Sequence, residues 1–77
     1  MKTKDFIQEL IDMLELEDDD LKDENSMLKG LYTSLGVLTI IALCDELFSK
    51  QLTGADLQSI TTVKSLMELI GEENFDE

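Results

Sequence analysis

Few side chains in this sequence can carry out chemistry of their own. There is no His, which removes the commonest general base and metal ligand. The single Cys, Cys44, cannot form an internal disulfide. It sits in an apolar run with no cation beside it to stabilise a thiolate, so a buried, inert thiol is expected. What remains is one hydroxyl in a distinctive place. Ser34 follows Thr33 at the head of the run Leu35-Gly36-Val37-Leu38-Thr39-Ile40-Ile41-Ala42-Leu43-Cys44-Asp45-Glu46-Leu47-Phe48. A hydroxyl at a helix start caps exposed N–H groups. The same position also suits an attached phosphodiester, because those N–H groups and the helix dipole favour negative charge. Spacing by itself leaves both roles open.

Carboxylates are the other chemical resource. Eighteen acids against six Lys give a net charge of −12 on 77 residues. Nucleic acid and anionic membranes are poor partners, since binding them requires the opposite sign, so no nucleic-acid binding and no membrane insertion are expected. Proteins with basic patches are favoured, and long-range attraction speeds their encounter. The acids crowd in Glu17-Asp18-Asp19-Asp20-Leu21-Lys22-Asp23-Glu24. A helix–loop–helix calcium site wants oxygen ligands at loop positions 1, 3 and 5, Gly at 6 and Glu at 12. Counting from Asp18 puts Lys22 at position 5 and Lys29 at 12. Counting from Asp20 puts Asn25 at 6 and Leu31 at 12. The motif fails, and a solvated acidic loop is expected. With no base, sheltered nucleophile or metal set, no intrinsic catalysis is expected.

The elements that position these residues follow from apolar period. Residues 3–16 read as a helix, with Phe6, Ile7, Leu10, Ile11, Met13 and Leu14 on one side and Thr3 as its N-cap. Residues 17–26 have no sustained period and form a loop anchored by Leu21, and Met27, Leu28, Leu31 and Tyr32 fold the rest of the connection back onto the core, with Gly30 allowing a turn.

The helix over 34–49 carries its inward stripe at Val37, Ile40, Ile41, Cys44, Leu47 and Phe48, and either Thr33 or Ser34 caps it. A second apolar row, Leu35, Leu38 and Ala42, lies to one side of that stripe. One stripe suffices for an ordinary surface helix, so the second row is read as a face for a partner. A short helix over 54–59 opens on the capping-box pattern Thr53-Gly54-Ala55-Asp56. A last helix over 62–70 is capped by Thr61 or Thr62 and stopped by Gly71, and residues 72–77 form a frayed acidic tail. The fold class is all-α, a small four-helix bundle in one domain with its third helix short. The apolar runs are too short to span a bilayer and the N-terminal stretch lacks signal-peptide character, so a cytoplasmic monomer is expected.

Thr33-Ser34-Leu35-Gly36, with the run from Val37 to Phe48, resembles the signature of the acyl carrier protein family. In that family Asp-Ser-Leu opens the second helix, which runs apolar, then acidic, and closes on a Phe. The interval from Ser34 to Phe48 matches without a gap. Ile60-Thr61-Thr62-Val63 resembles the opening of the family's last helix, and the likeness covers about residues 5–71. It implies a carrier in which Ser34 receives 4′-phosphopantetheine from coenzyme A through a separate magnesium-dependent phosphopantetheinyl transferase. It also implies that acyl-transferring or condensing enzymes with basic patches read Leu35, Leu38, Ala42, Asp45 and Glu46. The cargo would be an acyl or related group held as a thioester, as in fatty acid or polyketide biosynthesis.

Three positions depart from the family pattern. Thr33 stands where Asp usually precedes the serine, Leu31-Tyr32 where Leu-Gly is usual, and Thr39 where an acid is usual. A carrier-like acidic interaction module that is never modified is therefore the alternative.

Overall fold

A computed structural model describes residues 1–76. Its elements are α1 (Thr3–Leu14), α2 (Ser34–Phe48), α3 (Gly54–Gln58) and α4 (Val63–Ile70), followed by a 3-10 turn at Glu72–Asn74. No strand occurs among the described residues, and the all-α expectation holds. No helix is long and apolar enough to cross a membrane.

α1 buries Phe6, Ile7, Leu10 and Ile11, the i, i+1, i+4, i+5 set of one helical face. Met13, expected on that face, is half-exposed, because the stripe runs on past the part of the bundle that covers it. Thr3 is not the N-cap. The Lys2 carbonyl already accepts from the N–H groups of Asp5 and Phe6, so the helix begins one residue earlier, and the Thr3 hydroxyl is buried without a partner.

α1 also stops two residues short of expectation. Glu15 turns left-handed at φ 56°, and both its N–H and that of Leu16 donate to the Ile11 carbonyl. α2 ends the same way at Ser49, φ 54°, whose N–H donates to Asp45 O at 2.9 Å while Lys50 N–H reaches Cys44 O at 3.4 Å. Gly normally fills such positions, since a Cβ is strained there. α3 and α4 each open on a reciprocal capping box, Thr53 with Asp56 and Thr62 with Ser65. Each of these two helices is one residue shorter than expected: α3 ends at Gln58, and Thr62 caps α4 instead of joining it.

The connection over 15–33 is packed, not loose. Leu21 and Leu28 are buried in the core, with Leu31 and Tyr32 packed against it. Its second half is tied to the start of α4 by Leu28 N–H to Thr61 O (2.8 Å), Val63 N–H to Ser26 O (3.2 Å) and Lys64 N–H to Glu24 O (2.8 Å). Met27 faces out instead of folding onto the core. It pairs with Thr62 in a single extended bridge, and side chains alternate there, so Leu28 takes the inward side.

The acidic tail is not frayed as far as Asp76. Phe75 packs on Phe6 and Phe48 with ring centroids 5.2 Å away in each case, and Asp76 N–H donates to Met1 O. Burying an aromatic ring offsets the ordering of a short acidic segment. Glu77, the end of the expected tail, lies outside the described residues. The radius of gyration is 11.0 Å, close to the ~11.5 Å that a compact chain of this length gives.

The left-handed caps lead to a prediction. Ser49→Gly relieves the αL strain and is expected to stabilise the domain by about 1 kcal/mol, raising the melting temperature by roughly 4–8 °C. Thermal denaturation followed by circular dichroism measures this, and an unchanged or lower melting temperature would contradict the strain argument.

Candidate functional site

α2 seats itself on the core through Ile40, Leu43 and Cys44, spaced i, i+3, i+4. It packs against α1 on one side and α3 on the other. Leu43 was not on the expected stripe, although its spacing from Ile40 is that of a shared face. Leu47 was expected inward but is exposed. Phe48 makes the aromatic contact instead, edge-on to Phe6 at 5.7 Å, and its neighbour along the helix is turned away by roughly 100°. Val37 and Ile41 flank the buried centre and are partly buried.

The other side of α2 is the sequence-predicted site, and the structure brings its residues together. Leu35, Leu38, Ala42, Asp45 and Glu46 are all exposed. They step by three and four residues, so they form one continuous stripe from the first turn of the helix to the last. Leu35 is 76% and Leu38 64% exposed, against 0% for Ile40. Large apolar side chains left in water at regular spacing are the unusual feature of this surface. Thr39, beside the stripe, spends its hydroxyl on the Leu35 carbonyl at 3.1 Å.

Ser34 is the first residue of α2 and is exposed. Neither expected cap forms. Thr33 is extended and supplies only its carbonyl, which accepts from Val37 N–H at 3.1 Å, and no side chain caps the helix. Among the described residues the Ser34 hydroxyl has no hydrogen-bond partner. No side chain thus occupies the first-turn N–H groups, the donors that a helix start leaves unpaired.

The platform beneath Ser34 is held tightly. A Cβ on Gly36 would lie 2.5 Å from Tyr32 Cβ and 3.2 Å from Leu14 Cδ2, so this position requires Gly for close approach. Tyr32 in turn donates its hydroxyl to the Leu57 carbonyl of α3 at 3.3 Å. Burial raises its pKa, which keeps that donor protonated. One side chain thereby ties the end of the connection to both α2 and α3.

Cys44 is fully buried, and desolvation pushes its thiol up to about 11. It is a packing residue with little nucleophilic character at neutral pH. Among the described residues no group of three or more His, Cys, Asp or Glu side chains could hold a metal ion. The loop acids serve the backbone instead: Asp20 accepts from Glu17 N–H and Asp23 from Asn25 N–H, both at 2.9 Å. The one ion pair within 4 Å among the described residues joins the Met1 amino group to Asp76 at 3.8 Å. The other acids among the described residues have no cation within that distance, and the net charge of −12 gives the surface a negative field.

No protein-family model, curated protein or solved structure matches the chain.

The two sides of α2 respond differently to a charge. Leu38→Glu is expected to leave stability within about 0.5 kcal/mol of the parent. Ile40→Glu buries an unpaired carboxylate at a cost of several kcal/mol, enough to unfold a domain whose stability is on the order of 5 kcal/mol. Urea denaturation of both variants reads the difference, and equal losses would contradict the division of the helix into two faces.

Proposed function

We propose that this domain is a carrier of the acyl carrier protein kind, modified on Ser34 with 4′-phosphopantetheine. The observation that carries the reading is the free, exposed hydroxyl of Ser34 on the first turn of α2, at the head of the stripe Leu35-Leu38-Ala42-Asp45-Glu46. The resemblance over Ser34–Phe48 and the helix order, with α3 short, support it.

Residues of this chain fit the group at three points. The Ser34 oxygen has no competing hydrogen bond, so it can attack phosphorus, releasing the adenosine bisphosphate portion of coenzyme A while its proton passes to a base on the transferase. The open first-turn N–H groups and the dipole of α2 then favour the phosphodiester that results. Gly36 and Tyr32 hold the start of α2 fixed, so a tethered group swings from a rigid base. When attached, the arm supplies a terminal thiol that holds cargo as a thioester. Tethering makes each transfer a local event at high effective concentration.

The stripe gives partner enzymes something to read. Leu35, Leu38 and Ala42 offer apolar contact, and Asp45 and Glu46 attract basic residues at the far end of the helix. The chain itself is not the catalyst in this reading. It acts as a cytoplasmic monomer visited by a phosphopantetheinyl transferase and by acyl-transferring or condensing enzymes. Thr33, in place of the usual Asp, favours a second reading, in which the same face binds partners but Ser34 stays bare.

Intact mass after incubation with coenzyme A, magnesium and a broad-specificity phosphopantetheinyl transferase separates the two. The wild type is expected to gain the mass of one arm and Ser34→Ala none. Because the Ser34 hydroxyl caps nothing, Ser34→Ala should change stability by less than about 0.5 kcal/mol. Thr33→Asp is expected to speed the modification, with an advantage that shrinks as salt is added. No gain in the wild type would favour the unmodified module, and a gain that persists in Ser34→Ala would place the arm elsewhere and contradict both.

A further inference from the structure

α1 carries an apolar side chain that the described residues leave half uncovered. Met13 lies on the same angular position as Phe6, two turns earlier, yet Phe6 is 0% and Met13 49% exposed. The early left-handed stop at Glu15 ends α1 at Leu14, one residue after Met13, and leaves Met13 on the rim of the bundle. There it shares a hollow of about 310 Å³ with Leu14, Leu31, Leu35 and Thr39, and Thr33, the residue before Ser34, lies on its edge. The exposed apolar surface of α2 therefore continues around Leu35 onto α1.

Charge indicates what fits there. Among the described residues the one charged side chain lining the hollow is Glu15, and exposed Asp12 sits beside Met13 in sequence. Neither acid has a cation within ion-pair distance among the described residues. A thioether is soft and adapts to different shapes, which suits a surface that several partners visit in turn.

We propose that this α1–α2 hollow seats an apolar side chain of the basic enzymes that act at Ser34, with Met13 and Leu35 gripping it and Asp12 and Glu15 meeting flanking Lys or Arg. The inference rests on the carrier reading, since it takes its partner from it. It adds a contact on α1 that a search of α2 alone misses. An apolar anchor seated in a pocket is the arrangement that concentrates binding energy at protein interfaces.

The test separates docking from modification. In a Ser34→Ala background, which cannot accept the arm, the Kd for a broad-specificity phosphopantetheinyl transferase is measured by titration calorimetry. Adding Met13→Glu is expected to weaken binding by about tenfold, equivalent to about 1.4 kcal/mol, and Met13→Gln by a smaller factor in the same direction. Met13→Leu and the charge-matched Gln51→Glu, on the exposed connection after α2, should each stay within about twofold. Circular dichroism melts confirm that each variant is folded, and Met13→Gln carries the test if Glu perturbs α1. Binding unchanged by Met13→Glu and Met13→Gln overturns the proposal, as does an absence of any binding by Ser34→Ala. If the wild type still gains the mass of one arm, either of those results leaves the carrier reading standing.

Discussion

The burial of Ile40, Leu43 and Cys44 against α1 and α3 is the contact on which the rest depends. Those three residues occupy one side of α2, so the opposite side must face water, whatever its composition. In this chain the opposite side is apolar as well. Leu35 and Leu38 remain in solvent because the helix is already committed, and a domain of this size has no second layer with which to cover them. A helix under that constraint either exposes apolar surface at a cost in solubility or uses it for binding. The charge of −12 opposes self-association through such a surface, since like-charged copies repel.

The remaining elements keep that helix in place. Leu21 and Leu28 pin a long acidic connection to the core, and hydrogen bonds to Thr61 and from Val63 and Lys64 lock its second half to α4. Tyr32 wedges against Gly36 and reaches the Leu57 carbonyl, so the residues leading into Ser34 are held from two sides. At the other end Phe75 completes an aromatic trio with Phe6 and Phe48. Together these supports hold Ser34 at a fixed helix start, exposed and with its hydroxyl unpaired among the described residues.

Much of this was legible from period and capping chemistry. Thr53-Asp56 is a cap that hydroxyl and carboxylate spacing finds, and it forms; for the last helix the spacing left Thr61 or Thr62, and Thr62 is the one that caps. The row Leu35, Leu38 and Ala42 is likewise a matter of three- and four-residue steps, whereas Asp45 and Glu46 joined it only through the family resemblance. What was not legible depends on tertiary contacts. Glu15 and Ser49 end helices in a left-handed conformation that neither residue advertises, because packing overrides the local preference for Gly. Phe75 reads as part of an acidic tail until Phe6 and Phe48 are seen to leave a place for its ring. Met13 and Leu47 match the inward period and still face out, since period reports which residues share a face but not how far the cover extends. The open hydroxyl of Ser34 could not be told from a capping one by sequence, and that difference bears most directly on function.

If Ser34 is the position that takes the arm, as proposed, and Cys44 is silent, a count of accessible thiols tests both at once. Under native conditions at neutral pH, the unmodified domain should show no thiol reacting rapidly with a chromogenic disulfide, because Cys44 is buried and its thiol is pushed up to about 11. After treatment with transferase and coenzyme A, one fast thiol per chain should appear, contributed by the arm, and it should be absent from Ser34→Ala treated in the same way. A fast thiol before treatment would contradict the placement of Cys44, and none after treatment would contradict the assignment of Ser34.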